Sequence, residues 1–300
     1  MSFTRDTSFA YQANQIIDTM VSTYSIPDDN ILNYVRPWPL DFGAPAFVRG
    51  IADSDAGISI DADWNPHEEN ADKLAQTLDI AHGSKRMKVT DYVFAQDPQN
   101  VAVQTNDKMD AFMRGVERVL VDGATGNITI RGIADYPNAT AGTINRPEMA
   151  GSVSTAGDWI TGANMRADLI GADIALADAG FYGRRVLLLP LSMKSVLSEV
   201  ITNTDTPVRK WVNSGLGFDT AYSPYVHYGA TKDDFNAYLI DADHVYLGMS
   251  NVRVKNFYSD VGHAYYFDWE TRFVPFFDPK YDGTEYLKGV VRLDARDYSD

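Results

Sequence analysis

The chain has 300 residues, of which 45% are hydrophobic, and this is enough for a sizeable core in one or two domains. It contains no Cys, which excludes disulfides, thiolate nucleophiles and Cys-ligated zinc. The formal net charge is −15, and no stretch of the sequence clusters Lys and Arg, so we expect no broad basic face for binding nucleic acid.

The first predicted element is an amphipathic helical arm. Ser8 can cap a helix that ends near Tyr24, before Pro27. Its apolar residues are Phe9, Ile16, Ile17, Met20 and Val21.

An extended, polar stretch with hairpin signals follows the arm. Three prolines, at positions 37, 39 and 45, impose a non-helical path over residues 35–50. Residues 53–57 are a turn signal, and the isoleucines after them alternate with polar residues, as a two-stranded excursion would. We expect a short helix within residues 66–78 and a strand over residues 87–95.

One long amphipathic helix is predicted over residues 97–122. Asp97 is a favourable N-cap residue, Pro98 takes the first helical position, and Gly123 stands where a left-handed residue ends a helix. A helix of this span would be roughly 35 Å long. By itself the pattern is equally typical of an ordinary core helix. The apolar stripe consists of Met109, Phe112, Met113, Val116, Val119 and Leu120.

The segment after this helix predicts a strand, a loop and a second helix. Isoleucines favour a strand over residues 128–133. Residues 135–158 are dense in Pro, Gly, Ser, Thr and Asn, and we interpret them as a surface loop. A helix is predicted over residues 159–179, closed by Gly180.

A buried strand, a helix and a β-rich tail complete the chain. The apolar run at 186–189 is typical of a strand buried on both faces, and it stops at Pro190. Ser192 can cap the next helix, whose apolar face is Met193, Val196, Leu197, Val200 and Ile201. The tail predicts strands over 245–249, 252–258, 264–273 and 287–293. The fold class is therefore α+β.

The order of these elements resembles the Hong Kong 97-type major capsid proteins, whose fold is shared by tailed viruses and encapsulin shells. The resemblance covers nearly the whole chain, but it rests on element order rather than on an invariant motif. It implies an α+β fold with an N-terminal arm, an extended β-hairpin loop, a peripheral domain with a long spine helix, and an axial domain. The arm would be residues 1–44 and the extended loop residues 45–96. The peripheral domain would be residues 97–132 with 242–300, and the axial domain residues 133–241.

The resemblance also implies a function. It predicts a viral structural protein, not an enzyme, that self-assembles as hexamers and pentamers into an icosahedral head shell around double-stranded DNA, without sequence-specific contacts. Portal, scaffold or decoration proteins would be partners, and assembly would take place in the host cytoplasm. The extended loop should lie across a neighbouring subunit.

Three alternatives stand beside the viral capsid. An encapsulin-type compartment is disfavoured because encapsulins usually have a shorter chain and a less elaborate loop than the polar insert at 52–84. A minor virion or tail component would be distinguished by its copy number, because a major capsid protein dominates a purified particle. An unrecognised hydrolase would need a clustered acid and base, which the sequence does not display.

No catalytic, cofactor-binding or metal-ligating residue is predicted. The histidines, at 67, 82, 227, 244 and 263, form no HExxH pair and are interpreted as surface residues. Residues 53–57 begin like a calcium loop but lack its Glu. Residues 123–126 are too short for a phosphate cradle and lack the P-loop Lys. Residues 241–244 could place two carboxylates on one side of a strand, but a turn is the better interpretation.

Two sets of modifiable residues carry no prediction of function. The sequons at Asn127 and Asn138 matter only in a translocated protein. Lys73, Lys85 and Lys88 lie in or near the predicted loop, where a crosslink between neighbours would be conceivable, but lysines in a polar loop are usually solvated.

Charge composition and hydropathy predict the environment of the protein. Of the 41 acidic residues 34 are Asp, and of the 26 basic residues only 10 are Lys. Short carboxylates keep a surface hydrated in concentrated salt, so we expect a halophilic source, with an ordinary acidic cytosolic protein as the alternative. No apolar run approaches the roughly 20 residues that cross a bilayer, and residues 1–6 lack a signal peptide's apolar stretch. We therefore expect a soluble chain without membrane partners.

Overall fold

The computed structural model describes residues 26–41, 47–51, 74–90, 99–124, 130–134, 147–154, 159, 162–198, 207–226, 235–259 and 263–295. The predicted arm helix at 8–24 and the turn at 53–57 lie outside the described residues.

Most of the described residues belong to thirteen strands and four helices. The strands are β1 (Arg36–Pro39), β2 (Phe47–Ile51), β3 (Leu74–Leu78), β4 (Ala81–Thr90), β5 (Glu148–Ser154), β6 (Arg185–Pro190), β7 (Asp219–Ser223), β8 (Phe235–Asp241), β9 (Val245–Met249), β10 (Arg253–Ser259), β11 (Ala264–Phe277), β12 (Lys280–Tyr281) and β13 (Tyr286–Ala295). The helices are α1 (Gln99–Asp122), α2 (Gly162–Asp178), α3 (Met193–Val196) and α4 (Val208–Lys210), and a π-helical turn at Trp211–Leu216 continues α4.

The first sheet is built around the long strand β11. The first part of β11 lies between β10 and β4, both antiparallel to it, and its last five residues pair with β9. Strand β1 extends the sheet by parallel pairing with β9. Along β11, Phe267, Trp269 and Phe273 are buried, and the residues between them are partly exposed except Thr271, which shares their side. This alternation is the period of a strand with one covered face.

The register in which β11 pairs with β9 differs by one residue from the register in which it pairs with β10. Met249 pairs with Phe273, whereas Arg253 pairs with Glu270, so one extra residue is accommodated at 250–252. Ser250 and Thr271 satisfy the buried polar groups at this bulge. The Thr271 hydroxyl donates to the Ser250 carbonyl at 2.8 Å, and the Arg272 backbone N–H donates to the Ser250 hydroxyl at 2.9 Å.

The second sheet has six strands in the order β12-β13-β8-β6-β7, with β5 parallel to β13. At its centre, residues 186–189 are fully buried, which confirms the prediction of a strand covered on both faces. Helix α2 packs on β5 and β13. Its buried residues, Met165, Leu169, Ala172 and Leu176, share a hydrophobic cluster with Leu187 and Leu239.

The long helix α1 buries the predicted stripe except Val119, which is partly exposed, and it ends as predicted; the predicted cap, Asp97 and Pro98, lies outside the described residues. Gly123 follows it with a φ of 77°, and the backbone N–H of Ile133 donates to the Leu120 carbonyl at 2.8 Å. The buried ammonium of Lys288 on β13 donates to the carbonyls of Gly132 and Ile133 at 2.9 and 3.0 Å. The chain leaving α1 is thus fastened to the second sheet.

One hydrophobic core joins α1 to both sheets. From α1 the cluster includes Phe112, Val116 and Leu120. From the second sheet it includes Tyr238, Ile240 and Val290, and from the first sheet Val245, Leu247 and Phe277. The two sheets are therefore held by a common apolar interior and not by a linker alone.

Several predicted elements are wrong in type or extent. Residues 74–78 form strand β3, not helix, because they pair with residues 47–51 in an antiparallel hairpin. The strand predicted over 87–95 begins at residue 81. The strand predicted over 128–133 is reduced, among the described residues, to a single bridge between Ile130 and Ala124.

Strand β5 corrects the predicted loop over 135–158. Its residues 148–154 pair in parallel with β13. A Cβ on Gly151 would lie 3.4 Å from the Ala175 Cβ, so the small residues that suggested a loop instead give α2 room to pack against the strand.

Two strands lie in parts of the chain for which the domain expectation remains a prediction. Residues 81–90, within the predicted extended loop of 45–96, form β4, which pairs over its whole length with β11. Strand β13, within the predicted peripheral segment 242–300, lies in the second sheet beside β8, β5 and β12. Its apolar residues Val290, Val291 and Leu293 are fully buried there, which favours a central position.

Replacing Phe112 with Ala tests the role of α1 in the core. Phe112 is 6% exposed, so we expect a loss of about 3–5 kcal/mol in the free energy of unfolding. Val103 lies on the same helix but is 60% exposed, and Val103→Ala should change stability by less than about 0.5 kcal/mol. Denaturant unfolding of both variants measures the difference. Equal midpoints would show that the stripe is not buried.

Candidate functional site

The two sheets meet at the turn between β8 and β9. Residues Ala242–His244 form a 3-10 turn, and Asp241 caps it. The fully buried carboxylate of Asp241 accepts hydrogen bonds from the Gly183 N–H at 2.7 Å and from Arg185 Nη1 at 2.9 Å. The His244 Nδ1 lies 3.1 Å from the other Asp241 oxygen. A Cβ on Gly183 would approach that oxygen to 2.3 Å, so only glycine fits there.

Asp243 extends this network to the first sheet. Its carboxylate accepts from the Arg184 backbone N–H at 3.0 Å and from Arg36 Nη2, on β1, at 2.8 Å. The hydrogen bond from the Arg184 N–H and the ion pair with Arg36 outweigh partial burial and lower the pKa of Asp243. Burial opposes ionisation of Asp241, but the contacts with His244, Gly183 and Arg185 outweigh it and lower the pKa of that carboxyl.

The cluster is a brace and not an acid-base pair. Both carboxylates are engaged by arginine and backbone donors of the same chain, and Arg185 also donates to Asp173 on α2 at 2.7 Å. The prediction of a turn at 241–244 is confirmed.

Replacing Asp241 with Asn tests the brace. The variant removes the buried carboxylate partner of Arg185 and leaves it only the half-exposed carboxylate of Asp173, so we expect a loss of about 3 kcal/mol at neutral pH. A lowered pKa means that the stabilisation is present above the pKa of the unfolded chain and is lost as pH falls through the folded value. The difference from wild type should therefore shrink in acid.

The control for this variant is Asp29→Asn. Asp29 pairs with Lys194 near the surface, and its loss should cost about 1 kcal/mol or less. Unfolding in denaturant at several pH values measures both variants. An Asp241→Asn loss no larger than the control, or one independent of pH, would contradict the role of the brace.

A cleft lies between part of α1 and the edge of the second sheet, and Glu117 is one of the residues that line it. The cavity has a volume of about 330 Å³. It is lined by Asp110, Met113, Arg114 and Glu117 of α1, by Ile26, Pro27, Asp29, Asn30 and Leu32, and by Leu191, Tyr222 and Pro224. The segment that begins at Ile26 therefore lies between the helix and the edge strand β7.

Glu117 is the unusual residue of this cleft. It is 2% exposed, and one oxygen accepts from Asn30 Nδ2 at 2.9 Å, while the other has no hydrogen-bond partner within the part of the chain that the structure describes. Burial raises the pKa of Glu117, although the nearby Ser223 hydroxyl and the hydrogen bond from Asn30 oppose the shift. Asn30 also accepts from the Leu32 N–H and so links the carboxyl to the turn before β1.

Glu117→Gln tests whether the ionised, buried carboxylate of Glu117 lowers the stability of the folded protein. A pKa raised by folding means that ionisation disfavours the folded state above the unfolded pKa, near 4.3, and has no effect below it. The variant should therefore match wild type near pH 4 and unfold at a higher temperature, by about 2 °C or more, at pH 7. Asp107→Asn, an exposed acid on the same helix, is the control. A variant less stable than wild type at pH 7 would contradict the argument.

The architecture is similar to that of several solved particle structures. No protein-family model matches the sequence, and no curated protein matches it. Among solved structures, the crystal structure of a virus-like particle from Pyrococcus furiosus matches with a TM-score of 0.62 at 10% identity, over 94% of this chain and 98% of that one. The capsid of a native GTA particle matches with a TM-score of 0.64 at 11% identity, over 91% and 92% of the two chains. A Mycobacterium phage Adephagia structure matches with a TM-score of 0.59 at 13% identity, over 93% and 94%.

The chain has the Hong Kong 97 fold. The matches span more than nine-tenths of both chains, so the fold includes α1 and both sheets. The α+β class and the fold predicted from element order are confirmed.

In this Hong Kong 97-type chain, His244 lies beside Asp241, and the other described histidines and lysines that were weighed as candidates are exposed. His82 and His263 are exposed, as predicted, whereas His244 is half-buried beside Asp241. Lys85 and Lys88 are exposed on β4. The residues at 67, 73 and 227 lie outside the described part of the chain.

The described residues contain neither a metal-binding group of side chains nor a helix suited to span a membrane. Among them, no three His, Asp or Glu side chains are grouped so that they could hold a metal ion. None of the helices formed by them has both the length and the apolar character of a membrane span.

Sequence reasoning missed Glu117, Arg185 and Asn30. Glu117 follows Val116 and lies four residues after Met113, so a charge on the edge of the apolar stripe was a usable signal. Arg185 and Asn30 act through residues more than 50 positions away, and the sequence carries no local sign of those contacts.

Proposed function

We propose that this chain is the major capsid protein of a tailed virus, which assembles with itself as hexamers and pentamers into an icosahedral shell around double-stranded DNA. The observation that carries the proposal is the fold match over more than nine-tenths of the chain to capsid and virus-like-particle subunits. In this proposal the chain is not an enzyme. Portal, scaffold and decoration proteins are its partners, and it is located in the virion after assembly in the host cytoplasm.

The proposed subdomains follow the observed sheets. Helix α1 is the spine helix, and with the first sheet it forms the peripheral domain. The second sheet, with α2 and the returning strand β13, forms the axial domain. The hairpin β2–β3 forms the base of the extended loop. Residues 1–44 form the arm in this proposal.

Several exposed apolar side chains support the proposal that subunits associate and bury apolar surface between them. Ile170 and Ile174 lie one turn apart on the outer side of α2 and are 38% and 55% exposed. Tyr182 and Leu191, in the loops beside β6, are also exposed. Single exposed apolar residues are ordinary, but a pair on one helix face is a surface that association would cover.

An encapsulin-type compartment shell is the second candidate. The chain covers 98% of the virus-like-particle subunit from Pyrococcus furiosus, so chain length does not separate the two kinds of shell. The contents of particles from the native source would decide, because a virus holds nuclease-protected DNA and a compartment holds a cargo enzyme.

Electron microscopy and sedimentation of the purified protein test the proposal. We expect closed particles or capsomers, and a 33.3 kDa monomer at every salt concentration would contradict it. If the source is halophilic, association should be strongest at molar salt, because the Debye length falls from about 10 Å at 0.1 M to about 3 Å at 1 M and copies of net charge −15 then repel less. Intact particles in dilute buffer would contradict the halophilic origin only.

A further inference from the structure

Two buried polar groups line the cleft between α1 and the edge of the second sheet. They are the carboxyl of Glu117 and the hydroxyl of Tyr222 on β7, and these residues are 2% and 3% exposed. The Glu117 Oε1 and the Tyr222 hydroxyl have no hydrogen-bond partner within the part of the chain that the structure describes. Because a buried polar atom without a partner lowers the stability of a fold, these two atoms point to a bound group.

The group that would satisfy both atoms is a hydrogen-bond donor. The other oxygen of Glu117 already accepts from Asn30 Nδ2 at 2.9 Å, so the carboxyl is held in position before a ligand binds. An ionised carboxylate only accepts hydrogen bonds, and a tyrosine hydroxyl can also accept one. An ammonium group has three N–H donors and can therefore serve both oxygens at once. Its charge also strengthens the hydrogen bond to the carboxylate.

The charges around the cleft favour a cation. The carboxylates of Asp29, Asp110 and Glu117 line it together with the guanidinium of Arg114. Counting Lys194, which pairs with Asp29, three carboxylates face two cations. Arg114 is exposed, so solvent screens its charge more than it screens the charge of the buried Glu117. A positive ligand therefore meets a negative site.

The spacing along α1 suits a ligand with two charged ends. Asp110 and Glu117 are separated by two helical turns, so they lie on the same face of the helix, about 10 Å apart along its axis. Met113 lies between them and is 7% exposed, and Leu32, 9% exposed, also lines the cleft. Methylene groups gain by contact with such apolar side chains, and the carboxylates on either side favour ammonium groups.

We propose that this cleft binds a linear aliphatic diamine. One ammonium donates to Glu117 Oε1 and to the Tyr222 hydroxyl, the methylene groups pack on Met113 and Leu32, and the second ammonium lies beside Asp110. A ligand with a single ammonium, such as a lysine side chain, would gain from only one of the two carboxylates. The site lies within one chain, so it does not depend on the proposed shell function.

Calorimetric titration of the purified full chain with cadaverine tests the site. At about 0.15 M salt, where surface charges are screened, we expect one cadaverine to bind per chain. Pentylamine has the same carbon chain with one ammonium and should bind more weakly. Pentanediol carries hydroxyls in place of the ammonium groups and should not bind. Pentylamine that binds as tightly as cadaverine would overturn the diamine, and pentanediol that binds equally well would overturn a cation site.

Glu117→Gln should weaken cadaverine binding by about tenfold or more, because it removes the charge that the buried ammonium meets. Asp107→Asn is the matched control, since it removes an exposed acid of the same helix that does not line the cleft, and it should leave the affinity unchanged. Equal affinities of the two variants would show that the amine is only a counterion of an acidic chain, and would overturn the site.

Two further variants should change the affinity in opposite directions. Tyr222→Phe removes one acceptor and should weaken binding by about threefold or more. Arg114→Gln removes a cation close to Glu117 and should strengthen binding, because the two positive charges no longer repel. Weaker binding by Arg114→Gln would show that the guanidinium holds the ligand, and would overturn a site for cations.

Thermal unfolding separates ligand binding from the effect of Glu117 on stability. Glu117→Gln is itself expected to be more stable than wild type at pH 7, so a loss of binding does not reflect a loss of folding. Cadaverine should raise the Tm of wild type and leave that of Glu117→Gln unchanged. An unchanged wild-type Tm, with no heat of binding, would show that the cleft holds only water and would overturn the proposal.

Discussion

Burial of one side of α1 against both sheets is the interaction on which the rest of the structure depends. Phe112, Val116 and Leu120 contact a cluster that also contains Ile240 of the second sheet and Phe277 of the first. A fully buried side chain of this size contributes about 1.5–3 kcal/mol by removal from water. Because the same residues serve both sheets, neither sheet can move far from the helix without exposing apolar surface.

Polar contacts fix the geometry that this apolar core leaves open. Hydrophobic burial is not directional, so it does not by itself set the angle between two sheets. Asp241 and Asp243 connect β1, β6 and the turn before β9, and Lys288 fastens the end of α1 to β13. Each of these groups is buried or half-buried with several donors or acceptors in place, so an altered angle would leave a charge without its partner.

Local signals in the sequence were sufficient for the elements that depend on local physics. The glycine after α1, the apolar run of β6 and the alternating strands of the tail are patterns of neighbouring residues, and the structure has these elements at nearly the predicted bounds. The order of the elements was then enough to predict the fold.

Elements that depend on distant pairing could not be predicted in this way. Strand β5 consists largely of small and polar residues, and it is a strand because β13, more than 130 positions away, offers a parallel partner. The residues of β3 would also suit a helix, and their pairing with β2 decides the outcome. On one side of the first sheet, Arg86 and Arg272 lie 186 positions apart in the sequence, so only the register of β4, β10 and β11 brings such cations together.

The bulge at 250–252 decides which way the charges of β10 point. Side chains alternate across a strand, so a shift of one residue exchanges its two sides. If the register of β9 continued into β10, Lys255 would stand beside Phe267 and Arg253 beside Trp269, in the covered interior. The extra residue turns both cations outward instead. The charge on this surface therefore depends on the number of residues in the strand as well as on their identity. Deleting one residue at 250–252 would exchange the two sides of β10.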